Sequence, residues 1–75
     1  MNTLTIPETF ICMQVVYRQG MVKTFIAPQE ILLADFMRTA RDFGKIKATR
    51  FLPDVDRAAA DLLIATGAVE VKGRT

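Results

Sequence analysis

Phe10-Ile11-Cys12-Met13-Gln14-Val15-Val16-Tyr17, then Arg18-Gln19-Gly20, then Met21-Val22-Lys23-Thr24-Phe25-Ile26-Ala27 is the stretch that decides the fold. Its flanks are rich in β-branched and aromatic residues, which suit a pleated and at least half-buried surface. Between them lie two or three turn residues ending on Gly20, which accepts a positive φ without steric cost. The stretch therefore predicts a β-hairpin with strands 10–17 and 21–27. Both strands carry apolar residues at odd and even positions, so neither parity identifies the buried face. Gln14 and Lys23 are the clearest pointers to solvent. Tyr17, Arg18 and Met21 are expected at the exposed tip.

Downstream, Pro28 suits a first helical position, and Glu30 complements a helix N-terminus. From Gln29 to Phe43 the residues Leu33, Phe36, Met37, Ala40 and Phe43 recur at helical spacing, with Asp35, Arg38, Arg41 and Asp42 on the other side. Gly44 ends that helix. Lys45–Phe51 alternates Lys45, Lys47 and Thr49 with Ile46 and Ala48, the pattern of a half-exposed strand. Pro53 is expected to break the strand and Asp54 to cap a second helix reaching Thr66, with Val55, Ala58, Ala59, Leu62 and Leu63 turned inward. Gly67 ends the second helix, and Ala68–Lys72 reads as a last strand.

These readings give one α+β domain over residues 1–75 in the order ββαβαβ, two helices packed on a small mixed sheet. Residues 1–8 read as an extended arm and 73–75 as a tail. The strand–helix–strand unit over Ile46–Val71 has a crossover of about sixteen residues, long enough for its strands to pair in parallel. A winged-helix DNA-binding fold is disfavoured, because only two helices are evident. The expected core brings together Leu33, Phe36, Met37, Phe43, Leu62 and Leu63.

Composition narrows the chemistry. A chain of 75 residues buries only about 60% of its unfolded surface, so stability must come from a small hydrophobic core. Hydrophobic residues make up 51% of the chain, enough for such a core. There is no histidine and no serine, so Ser-His and Cys-His nucleophiles and imidazole metal ligands are excluded. The lone Cys12 sits in an apolar run and reads as a core residue. Gly20, Gly44, Gly67 and Gly73 are scattered and build no phosphate loop. Asp54, Asp56 and Asp61 admit a paired-carboxylate or magnesium reading, but aspartates at a helix start more often cap it. No catalytic, cofactor-binding or metal-binding residue is expected, and the chain reads as a binding protein rather than an enzyme. No secretory leader pattern and no apolar run of about 20 residues occurs, which points to the cytoplasm.

Net charge is only +2, yet Arg38, Arg41, Lys45, Lys47 and Arg50 fall in one segment with Asp42 as the only acid. That segment is the candidate partner-binding surface, for phosphates or for an acidic protein, weighed against a merely solvated face. Phe36, Phe43 and Phe51 read as core, so aromatic stacking partners for bases are missing. Tyr17 and Arg18 at the hairpin tip are the second candidate contact.

The segment Leu52-Pro53-Asp54, followed by Ala58-Ala59-Ala60-Asp61-Leu62-Leu63 and by Gly67-Ala68-Val69-Glu70, resembles the closing segment of small tailed-phage accessory proteins. The resemblance covers about a quarter of the chain and its motif is structural rather than catalytic. It implies a phage origin, and the preferred reading is a regulator in the host bacterium's cytoplasm that binds host RNA polymerase or a similar host assembly. An anti-CRISPR protein is another instance. A small nucleic-acid-binding protein using residues 38–50 and a virion or assembly component are the alternatives.

Overall fold

Two strands adjacent in sequence form the centre of the sheet. β1 (Thr9–Tyr17) and β2 (Val22–Pro28) pair antiparallel, with Phe10 opposite Pro28 and Val16 opposite Val22. Their connection is tight. The Gly20 N–H donates to the Tyr17 carbonyl at 2.9 Å, and the Tyr17 N–H donates to the Met21 carbonyl at 2.8 Å. This is a three-residue loop that closes on a residue with positive φ, and Gly20 supplies it at 96°. The structure, a computed structural model, describes residues 8–72. The tail 73–75 and all of the expected arm except Glu8 lie outside the described residues.

β3 (Ile46–Asp56) pairs antiparallel with the far side of β1, and β4 (Val69–Glu70) pairs parallel with β2. The sheet order is β3-β1-β2-β4. α1 (Leu33–Arg41) links β2 to β3, and α2 (Arg57–Ala65) links β3 to β4. The result is the α+β domain with a mixed four-stranded sheet and the order ββαβαβ that the sequence predicts. β3 and β4 run in the same direction but do not pair with each other. The hairpin holds the centre and leaves one free edge on each strand, so β3 takes the edge of β1 and β4 that of β2.

Alternation along the central strands divides the core in two. Met13, Val15, Tyr17, Phe25 and Ala27 pack with Phe36 and Ala40 of α1 and with Val71. On the opposite face Phe10, Cys12 and Ile26 pack with Ala60 of α2, flanked by Leu52, Leu63 and Ile64. A sheet covered on both sides is why the hairpin is apolar at both parities. It also corrects the expected core. Phe36 is buried as anticipated, but Leu63 lies on the other face. Leu33 and Leu62 are 60% and 69% exposed, and Phe43 is 39% exposed, edge-on to Phe25 with ring centroids 5.6 Å apart.

Two prolines act differently from the expectation. Pro28 is paired with Phe10 as the last residue of β2, so the sheet holds it extended and Glu30 falls in the following turn. α1 begins only at Leu33, with Leu32 as an N-cap that makes no side-chain hydrogen bond. Pro53 does not end β3: it falls at a register shift between Leu52, opposite Cys12, and Val55, opposite Phe10, and a bulge on an edge strand tolerates a missing N–H. The strand continues to Asp56, whose Oδ1 accepts the Ala59 N–H at 2.8 Å and caps α2. Asp54 is not the cap; its Oδ2 accepts from Gln29 Nε2 at 2.7 Å. Starting the helix at Arg57 turns Ala60, Leu63 and Ile64 inward and leaves Ala58 and Leu62 exposed. Among the described residues no helix is long and apolar enough to cross a membrane.

Candidate partner-binding groove

β3 does not follow β1 evenly. Val16 stands opposite Ala48 and Tyr17 opposite Ile46, so Lys47 is the extra residue of a β-bulge. Just before it the chain returns from α1 through Gly44, whose φ is 146°. A Cβ at this position would lie 3.0 Å from Gln19 Nε2 and 3.4 Å from Tyr17 Cδ2. The positive φ favours glycine at this position, and its bare Cα lets the Gln19 amide and the Tyr17 ring lie close. The approach is locked by the Arg18 N–H, which donates to the Lys45 carbonyl at 2.9 Å.

Between α1, the hairpin tip and β3 this geometry opens a groove of about 840 Å³. Arg18, Arg41, Lys45 and Lys47 line it together with the half-buried Met37 and Ile46, and among the described residues no carboxylate does. Among the described residues the ion pairs lie elsewhere: Arg38 with Asp35 at 2.6 Å, and Arg57 with Glu8 at 3.5 Å and Asp61 at 3.4 Å. Four cations with no ion-pair partner among the described residues, set around a concave surface with apolar parts, produce a focused positive potential.

Not every residue singled out from the sequence belongs to the groove. Arg41, Lys45, Lys47 and Arg18 converge there from α1, the loop after it, the bulge and the hairpin tip. Arg38 is held by Asp35 instead. Arg50 donates to Gln14 Oε1 at 3.0 Å and shares the opposite sheet face with it. Tyr17 is not a surface contact but a fully buried core residue, and its hydroxyl donates to the Ala40 carbonyl at 2.6 Å. Burial raises its phenol pKa above the ordinary 10.0. The Cys12 thiol is buried in the other core. Desolvation, with the charge of Asp54 second, raises it above the ordinary 9.0 and makes it a poor nucleophile.

Met37, Ile46 and Gly44 were absent from the sequence-based site. The first two resemble core residues in any pattern, and the bulge that brings them to the groove leaves no local signal. Phe51, expected in the core, is 56% exposed on β3. No family model, curated protein or solved structure matches this chain.

Proposed function

We propose that the protein is a non-enzymatic binding module that takes an acidic segment of a partner protein into the groove between α1 and β3. The carrying observation is that Arg18, Arg41, Lys45 and Lys47 arrive from separate parts of the chain on one surface that, among the described residues, no carboxylate lines. Met37 and Ile46 add an apolar floor. The preferred occupant is thus an acidic stretch bearing an apolar anchor rather than a free anion. The resemblance of Leu52–Glu70 to tailed-phage accessory proteins supports a phage origin, and the partner we propose is a host assembly, RNA polymerase by preference, bound in the bacterial cytoplasm to alter transcription. Those residues build the end of β3, α2 and β4, the scaffold behind the groove.

The test is charge reversal inside the groove, with nuclease-treated bacterial RNA polymerase as the probe. Arg41→Glu combined with Lys47→Glu is expected to leave the circular dichroism spectrum unchanged, since both side chains are exposed. It should weaken binding at least tenfold, about 1.4 kcal/mol. Binding at wild-type strength by the double variant would reduce the groove to a solubilising surface. The second reading, nucleic-acid binding, is favoured by one observation: exposed Phe51 offers an aromatic platform on the strand that carries Lys47 and Arg50. A steep salt dependence of oligonucleotide binding, lost on Phe51→Ala, would select it over the protein partner.

A further inference from the structure

α1 lies over the hairpin, not over β3. Its Phe36 and Ala40 pack with Met13, Val15, Tyr17, Phe25 and Ala27, all from β1 and β2. In the register with β1, Ile46, Thr49 and Phe51 stand opposite Tyr17, Val15 and Met13, so they belong to this same face of the sheet. Ile46 packs against the core, whereas Thr49 and Phe51 are exposed. The cleft beside α1 therefore extends along β3 beyond the cations.

Its two ends differ in chemistry. Arg18, Arg41, Lys45 and Lys47 gather at the hairpin-tip end. α1 runs toward that tip: the chain enters it after Pro28, opposite Phe10, and near its end the Ala40 carbonyl accepts the Tyr17 hydroxyl. Leu33 to Arg41 spans about 12 Å of helix, and Tyr17 back to Met13 about 13 Å of strand. Leu33 is therefore level with Met13 and with Phe51, the β3 partner of Met13. It also stands one turn before the groove-lining Met37, on the same side of α1. A single exposed apolar side chain is ordinary. Leu33 and Phe51 are both exposed, and they flank one cleft at one level, with Met37 and Ile46 between them and the four cations.

We infer that the cleft is a two-part site, taking one large apolar side chain of the partner between Leu33 and Phe51 and its acidic residues at the hairpin-tip end. The occupant is an acidic peptide segment whose aromatic or long aliphatic anchor lies about 13 Å from its carboxylates, four residues of extended chain. Charge alone fixes neither register nor direction; the anchor fixes both and adds burial. The inference rests on the acidic-segment reading of the groove and adds where the anchor sits.

The experiment is fluorescence anisotropy of labelled synthetic peptides with the full chain. The probe peptide has three glutamates, a Gly-Ser-Gly spacer and one tryptophan, made in both chain directions. One control replaces the tryptophan by serine and another omits the spacer. Wild type is expected to bind the probe, in its better direction, at least tenfold more tightly than either control. Leu33→Ala combined with Phe51→Ala is expected to remove that advantage and leave binding of the serine control unchanged. Arg41→Glu combined with Lys47→Glu should weaken every peptide. Circular dichroism checks the fold of both double variants, whose four altered side chains are exposed. The two control peptides test the wild-type chain itself, whether or not a variant folds. Equal affinity for the probe and the serine control would overturn the anchor site and leave the acidic-segment reading standing. So would a tryptophan advantage that survives Leu33→Ala with Phe51→Ala, or one that needs no spacer. Failure of every peptide to bind, or binding indifferent to the Arg41→Glu and Lys47→Glu pair, would sink the acidic-segment reading and the inference with it. Oligothymidylate that binds more tightly than the probe, and through Phe51, would assign that ring to nucleic acid and overturn the anchor.

Discussion

The two faces of the sheet are built from the same two strands yet are unequal. Under α1 the core contains Tyr17, Phe25, Phe36 and Met13, the largest fully buried side chains in the molecule. Under α2 it has Phe10, Cys12 and Ile26 against a single buried alanine, with Leu52, Leu63 and Ile64 only partly covered. The first face holds the fold. The second closes over it more loosely and leaves the outer part of the sheet around Gln14 and Arg50 uncovered. In so small a chain the supply of large apolar residues packs one side well and the other only in part.

The most severe way to break this comparison is Phe36→Ala. Removing the ring is expected to cost about 3–5 kcal/mol, comparable to the whole stability of such a domain. Leu63→Ala on the other face should cost less than half as much, measured by urea denaturation. Equal losses at the two positions would make the faces equivalent.

A finer contrast lies in the alkaline limb of stability, because each face buries one titratable group. Cys12 and Tyr17 both have raised pKa values in the folded chain, so the folded state retains protons that the unfolded state releases. Stability is therefore complete below pH 9.0, declines first through Cys12, and falls again above pH 10.0 through Tyr17. Tyr17→Phe should abolish the second decline and keep the first. It should also cost about 1 kcal/mol at neutral pH for the lost bond to Ala40, whose carbonyl still accepts the Phe43 N–H at 3.3 Å. A second decline that persists in Tyr17→Phe would assign it to another group.

The smallest effect is expected at Leu62, apolar and on α2, but pointed at solvent. Leu62→Ala should move stability by no more than about 0.5 kcal/mol in thermal unfolding. A larger loss would show that α2 packs with a different side inward.

Local signals carried the element order well. The hairpin, its Gly20 turn, the helix ends at Gly44 and Gly67 and the charged alternation after Lys45 are all short-range features, and short-range physics decides them. What the sequence did not reveal depends on pairing between distant segments. Pro28 resembles a helix start until Phe10 is known to lie opposite it. Pro53 resembles a strand end until β3 is known to be an edge. Phe36 and Leu63 both carry helical periodicity, and nothing local tells that their helices cover opposite faces. For the groove, clustering in sequence found Arg41, Lys45 and Lys47, and the hairpin tip supplied Arg18. Arg38, Arg50 and Tyr17 were misplaced because an ion pair, a strand parity and a buried hydroxyl each required the neighbour in space.

The sheet order also sets a timetable. β1 and β2 meet through a loop of three residues, so the hairpin can close within microseconds of being made. β1 nevertheless keeps an unpaired, apolar flank until α1 and then β3 have emerged, since its second partner is the third strand of the chain. The nascent molecule thus exposes its stickiest backbone early and covers it late, and that interval, rather than the finished fold, is when aggregation threatens it most.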